Sequence, residues 1–429
     1  MEELDTIKEI INDYFINIEN IDYEYFSKFE DEIIATSNMI DDINPIIIKK
    51  YISKLVKNVF ILNENSDCPI IYNKDDVKIP KKFNSLVKHV DYIENLPQPV
   101  QRSTEWFNMR KNMITASNTA QALGKSHWGS QNKFVLDKLG LGEPFKTNKY
   151  CHHGVKYEPI STMMYENLYN IQIKEYGLIP HLPNPKILFL GASPDGIGSI
   201  YKMDNSFSPL IGRMLEIKCP YSRKLILEGK IDGEICPYDY YCQVQQQLEC
   251  CDLEYCDFWQ TIIEEVSTRE EWLNIECNAQ TTEEQNQPNE LVKNCQKGCI
   301  IQLLPKEKIN RFCLFEAKYI YPPDINISIF DYDKWVLDEI HNLHIKYPEL
   351  MDNYVFDRII YWNLKQSHNV TIKRDREWFN EILPELKSIW DKIKYFRENK
   401  DEAQKLVPKK KKKILFIDSE SGSESGEDD

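Results

Sequence analysis

Two short stretches decide the fold: Ile187–Gly196, ILFLGASPDG, and Leu215–Pro220, LEIKCP. Side chains alternate along a strand, so in the second stretch Glu216 and Lys218 point to one face while Ile217 points into the core. Opposite charges then share one site. Asp195 closes the strand expected over Ile187–Ala192 and is followed by Gly196, which permits a tight turn. If the two strands pair as neighbours, the Asp195 carboxylate comes beside Glu216. Two carboxylates and a backbone carbonyl such as that of Ile217 make an oxygen-rich site suited to Mg²⁺ or Mn²⁺.

The neighbouring helices add to this set. Over Lys156–Tyr169 the helical reading puts Glu158, Thr162 and Tyr165 or Glu166 near one face, so Glu158 can present a third carboxylate. Over Tyr240–Cys250 the chain carries Gln243, Gln245, Gln246 and Gln247, of which Gln243 and Gln247 share a face at i, i+4. Neutral amides bond phosphate oxygens or a base edge without disturbing the charge balance at a metal. A cation in such a site acidifies water and stabilises charge developing on a scissile phosphate, while Lys218 orients the nucleophile or neutralises the phosphate. Hydrolysis of a phosphodiester needs those parts. Acid-x-Lys on a strand is commonplace by itself, as is a solvated acid on a helix, so the weight rests on the combination.

Working outward, Gln101 to about Val266 reads as mixed α/β, with a further helix around Ala116–Leu123 and a strand at Asp257–Ile263. The Pro-containing stretch Glu94–Val100 ends a helical pattern that begins at Leu4, Ile7 and Ile11. This places a helical N-terminal region over 1–90 and a core over 91–270. The polar run Asn278–Glu290 reads as a loop or insertion within 271–300, and apolar spacing at Lys334–Ile345 and Trp378–Tyr395 predicts a mostly helical region over 301–400. Residues 401–429 hold Lys409–Lys413 and DSESGSESGEDD and are expected to be disordered. The lysines read as an import signal, a loose hold on DNA or a solvated charge block; Ser421 and Ser425 read as phosphorylation targets.

With 429 residues, 42% of them hydrophobic, the chain is not disordered as a whole. Its 53 basic and 68 acidic side chains give a net charge of −15, so nucleic acid would have to be held by a local basic patch and a divalent cation, not by the global field. No apolar run approaches about 18 residues, and the acidic start MEELDTIKEI lacks the regions of a signal peptide. The expectation is a soluble intracellular protein, not secreted and with no membrane partner. The twelve cysteines then read as reduced thiols, and neither Cys242, Cys250, Cys251 and Cys256 nor Cys295 and Cys299 make the CxxC pair of a zinc or iron–sulfur site. The GKS at Gly124–Ser126 is no P-loop, because Thr119 stands where its first glycine is needed.

Taken in order, WFNMRKNMITAS (Trp106–Ser117), HGVKYE (His153–Glu158), GASPDG (Gly191–Gly196), LEIKCP and the Gln243–Gln245 helix resemble the YqaJ-type viral recombinase and lambda-exonuclease group of the PD-(D/E)xK nucleases. The likeness covers about Trp106–Gln247. It implies a restriction-endonuclease-like α/β core, a central mixed sheet flanked by helices, with helical N- and C-terminal regions around it. It further implies that Glu158, Asp195, Glu216 and Lys218 carry out hydrolysis, with Ile217 among the metal ligands; Glu216 and Lys218 are expected to be solvent-accessible in a cleft. By the same resemblance Arg110, Ser117, Ser193 and Gln243 form a pocket for a 5′-terminal phosphate, with Gln247 beside them. A planar guanidinium grips such a group in bidentate fashion while hydroxyls and amides fill the remaining acceptors. The implied activity is that of a Mg²⁺- or Mn²⁺-dependent DNA exonuclease, 5′→3′ on duplex ends, in recombination, repair or genome processing of a large DNA virus. Its place would be the host cytoplasm, a viral factory or the nucleus, and a single-strand annealing or replication protein is an expected partner. Some members form ring-shaped trimers, so a homo-oligomer is open too. An endonuclease or nickase of the same fold and a non-catalytic interaction protein are the alternatives.

Overall fold

A computed structural model describes residues 77–144, 146–275, 296–308 and 311–408. The expectations for residues 1–76, for the polar run over 278–290, for Cys295 and for the tail from residue 409 lie outside the described residues. The described residues belong to one compact unit that begins at Val77. Helix α1 (Asn84–Glu94) buries Val87, Val90 and Ile93 in it. The first two share a core cluster with Ile200 and Ile211, and the third shares one with Ile197 and Met214. The unit therefore starts ahead of the expected boundary near residue 90, because the last helical pattern before the prolines serves the core.

In chain order the strands are β1 (Ile114–Thr115), β2 (Ile173–Lys174), β3 (Ile179–Pro180), β4 (Leu190–Ala192), β5 (Gly196–Gly198), β6 (Met214–Lys218), β7 (Tyr255–Val266), β8 (Lys297–Pro305), β9 (Lys318–Ile320) and β10 (Tyr354–Lys373). A small sheet runs β1, β4, β3, and a larger mixed one runs β2, β5, β6, β7, β10, β8, β9. Within the larger sheet β6 and β7 are parallel, which requires a crossover. Helix α5 (Tyr238–Cys251), numbered after α2 (Thr104–Lys111), α3 (Gln131–Leu139) and α4 (Lys149–Tyr169), provides it. The result is the expected α/β class, a mixed sheet flanked by helices.

The period of two along β6 sorts its side chains between two helices. Leu215, Ile217 and Cys219 share a cluster with Tyr157, Ile160, Met164 and Tyr165 of α4, whereas Met214 joins Val244 and Leu248 of α5. The last long helix in the described residues, α7 (Arg376–Glu398; α6 is Ile329–Lys346), lays Phe379, Ile382, Leu386, Ile389, Trp390 and Ile393 against Ile114, Leu190 and Phe134. Each such side chain contributes about 1.5–3 kcal/mol on burial. The apolar face predicted from the spacing of this helix is thus the lid of the small sheet.

Residues 301–400 are less helical than expected. β10 is 20 residues long and pairs antiparallel with β7 through Tyr361–Lys373 and with β8 through Tyr354–Asn363. Register shifts between Leu364 and Gln366 and between Phe356 and Arg358 interrupt it. Each irregularity resets which side chains face inward, so no sustained alternation marks the strand in the sequence. Among the described residues no helix is long and apolar enough to cross a membrane.

One ion cluster ties α5 to the end of β10. Arg374, almost fully buried, pairs with Glu249 at 2.7 Å and with Asp252 at 2.6 Å, and His181 lies 3.6 Å from Glu249. Burial alone would raise Glu249, but His181 and Arg374 outweigh it and bring the carboxyl from 4.5 to about 2. A carboxyl lowered by folding adds stability that is present above its unfolded value and lost as pH falls through the folded one. The melting-temperature advantage of wild type over Glu249→Gln should therefore shrink as pH drops from about 4.5 toward 2. A gap that stays constant across that window would show that another group titrates.

Candidate active site

Alternation along β6 turns Glu216 and Lys218 toward α5. Glu216 Oε1 accepts from Gln243 Nε2 at 2.8 Å and pairs with the Lys218 ammonium, while Oε2 accepts from Gln247 Nε2 at 2.7 Å. The i, i+4 glutamines are thus aimed at this carboxylate. Lys218 Nζ also lies 4.7 Å from the centroid of the Tyr240 ring. Burial opposes its charge, yet Glu216 and Asp195 prevail and hold the ammonium above the ordinary lysine range. The expectation of solvent-accessible residues fails for Glu216, whose side chain is 0% exposed, against 19% for Lys218 and 37% for Glu158. The physical reason is that β6 is an interior strand with α5 packed over this face.

Asp195 arrives by a different route from the one expected. β4 belongs to the small sheet, and it is β5, directly after Asp195, that pairs with β6, Gly196 standing opposite Leu215. Even so, Asp195 Oδ2 accepts the Ile217 N–H at 2.7 Å, which fixes the carboxylate beside β6. Gly196 is not a left-handed turn residue. A Cβ there would come 2.2 Å from Ile173 Cγ2, so the glycine is needed for close packing. Burial, then the charges of Glu216 and Glu158, push Asp195 well above the usual carboxylate range.

Glu158 reaches the site from α4, across the other face of β6. Burial raises it, with Arg102, 3.9 Å away, and Lys218 pulling the other way. The three carboxylates feel one another electrostatically but do not form a ready cage: among the described residues no three His, Cys, Asp and Glu groups are arranged to hold a metal. Glu216 is engaged instead by the ammonium and the two amides.

A second cluster adjoins the first. Trp106 and Arg110 lie one turn apart on α2, the guanidinium carbon 4.2 Å from the indole centroid. Arg110 Nη2 donates to Ser117 Oγ at 3.1 Å, and Trp106 Nε1 donates to Ser193 Oγ at 3.0 Å. Three of the residues expected at a phosphate, Arg110, Ser117 and Ser193, thereby fall in one row; Gln243 turns to Glu216. Gln247 links row and carboxylates, because its Nε2 also reaches the Ser193 carbonyl at 3.4 Å. Among the described residues no carboxylate pairs with Arg110, and burial brings it down to about 10. Lys138, whose Nζ donates to the Arg110 carbonyl at 2.7 Å, falls to about 7 through burial and then the charges of Arg110 and Arg397. Asp137 offsets part of the Lys138 charge, while the Arg110 guanidinium, with no carboxylate paired to it among the described residues, favours an anion in that place.

Both clusters fall almost wholly within residues 105–254, which match the family model of the YqaJ-like viral recombinase domain. That stretch is similar to a YqaJ-like viral recombinase domain. The chain is also 37% identical over 327 residues to an uncharacterized protein of Acanthamoeba polyphaga mimivirus, a match covering 74% of this chain and 57% of that protein. The chain thus spans little more than half the length of that relative. Two crystal structures of an alkaline exonuclease from Laribacter hongkongensis, one of them in complex with dAMP, align with 71% of this chain and all of theirs, at 18% identity and a TM-score of 0.35.

Within residues 105–254 three residues of the two clusters were not expected from the sequence. Trp106 had a signal, its i, i+4 spacing to Arg110. Tyr240 had a weaker one, three residues ahead of Gln243 on α5. Lys138 had none, because it reaches Arg110 only through the packing of α3.

Proposed function

We propose that the YqaJ-like domain is a DNA nuclease that hydrolyses phosphodiesters at duplex ends, 5′→3′, with Mg²⁺ or Mn²⁺, in recombination, repair or genome processing of a large DNA virus. Gln247 carries the reading. One buried amide touches both the Glu216 carboxylate and the backbone of Ser193, which links the acid–lysine set to the Arg110 row. A strand end whose phosphate is gripped by Arg110 and Ser117 would bring a phosphodiester toward Glu216 and Lys218.

The donor atoms suit a hard cation, although Glu216 would have to exchange its ammonium and amide partners to ligate one. All the candidate ligands are oxygens, Asp195 and Glu158 are raised by burial and by neighbouring carboxylates, and Gln247 Oε1 is buried with no hydrogen-bond partner. Glu158, Asp195, Glu216 and the Ile217 carbonyl would hold the ion, which would supply charge neutralisation at the phosphoryl group and acidity to water. The chain's own groups have separate tasks. Lys218, whose ammonium is favoured by Glu216 and Asp195, would offer positive charge to the phosphate or orient the nucleophile. Gln243 and Gln247 fix the Glu216 rotamer, and the Arg110 fork takes two phosphate oxygens with Ser117 and Ser193 completing the shell.

Linear duplex labelled at its 3′ ends, with and without a 5′ phosphate, tests this on one gel. The expected result is Mg²⁺-dependent shortening from 5′-phosphorylated ends that EDTA stops and that is slower from 5′-hydroxyl ends. Cutting of closed circular DNA would reassign the domain as an endonuclease or nickase. Inertness toward every substrate in both Mg²⁺ and Mn²⁺ would end the nuclease reading.

A further inference from the structure

The segment Gly124–Ser130, GKSHWGS, has no phosphate-loop pattern, yet it is held beside the candidate active site. Asp239 Oδ2 accepts from the His127 N–H at 3.2 Å and lies 3.0 Å from His127 Nδ1. The Trp128 N–H donates to Ser126 Oγ at 3.0 Å, Gln131 Nε2 donates to the Ala122 carbonyl at 2.6 Å, and Ser130 caps α3. The middle and the far end of the loop are therefore tied down by polar contacts. What these contacts present is an indole: Trp128 is 61% exposed, although its ring lies 4.9 Å from that of Tyr240. Tyr240 is in turn the ring 4.7 Å from Lys218 Nζ. A continuous line of side chains runs from Glu216 through Lys218 and Tyr240 to an open aromatic surface.

We infer that Trp128 is a base-stacking residue that receives an unpaired nucleobase of the DNA strand within two or three nucleotides of the phosphodiester at Lys218. The two ring contacts limit the distance from ammonium to indole to the length of two or three base steps, at about 3.4 Å each along a strand. Every base has a π-face, so such a platform holds DNA without regard to sequence, as an enzyme digesting arbitrary ends requires. Anchoring the loop in advance removes the entropy that ordering a free tryptophan would cost. The inference rests on the nuclease reading of the neighbouring residues.

The test uses the full chain carrying Asp195→Asn to keep the DNA end intact, with 5′-phosphorylated duplexes bearing an abasic site at each of the first few positions of that strand. Trp128→Ala should weaken binding of the intact duplex about 5- to 100-fold. It should change nothing for the duplex whose missing base is the one Trp128 holds, and Trp128→Phe should restore most of the affinity. 2-Aminopurine at that same position should be quenched in the Trp128 complex and bright in the Trp128→Ala complex. Equal weakening at every abasic position, or none at all, overturns the stacking role while leaving the nuclease reading intact. Failure of the protein to bind DNA ends removes both.

Discussion

Asp195→Asn is expected to lower cleavage of 5′-phosphorylated duplex by about 10³-fold while leaving the metal-free protein at least as stable as wild type. Asparagine keeps an oxygen for the Ile217 N–H but removes a carboxyl whose ionisation is opposed by burial and by Glu216 and Glu158. The stability sign follows from linkage. A carboxyl raised by folding binds its proton more tightly in the native state, so stability falls as pH rises from the unfolded value, near 3.9, through the higher folded one. At neutral pH the variant escapes that loss, and each 1 kcal/mol regained should raise the melting temperature in EDTA by about 2–4 °C. Added Mg²⁺ or Mn²⁺ should stabilise wild type by mass action and Asp195→Asn much less. Wild-type activity in the variant would refute the role given to Asp195, and a melting temperature many degrees lower would mean the residue is structural.

Arg110→Ala should cost about 10- to 100-fold in kcat/KM on 5′-phosphorylated ends and far less on 5′-hydroxyl ends, so the preference between them collapses. The scale is that of charge-assisted hydrogen bonds to a phosphate. Arg110→Lys should recover only part of it, since an ammonium cannot reproduce the two-pronged grip or the contact with Trp106. Steady-state kinetics on the paired substrates check both. A uniform loss on the two kinds of end would place Arg110 in the scaffold and not at the phosphate.

The sequence made the short-range parts of the site legible. Glu216 and Lys218 share a face because a strand alternates, and Gln243 and Gln247 share one because a helix turns, so both pairs could be placed without tertiary knowledge. Asp195 was placed beside Glu216 for a partly wrong reason: the neighbour of β6 is the strand after Asp195, not the one before it. Strand order depends on which edges meet in three dimensions, and the local pattern carries no record of that. The burial of Glu216 and the approach of Lys138 were illegible for the same cause, since α5 and α3 supply them from elsewhere in the chain. β10 escaped notice because its irregular register erases the period that would betray it.

Arg397, near the end of α7, donates to the Lys111 carbonyl at 2.6 Å, bridging 286 positions of sequence. That carbonyl belongs to the last residue of α2, the helix bearing Trp106 and Arg110. During synthesis, therefore, the helix that carries Trp106 and Arg110 is released from the ribosome long before the segment that clamps it, and the small sheet waits uncovered for the same length of time. Excising residues 105–254 as a minimal enzyme would leave that clamp behind, so a trimmed version should be expected to need its distant C-terminal helix supplied in trans.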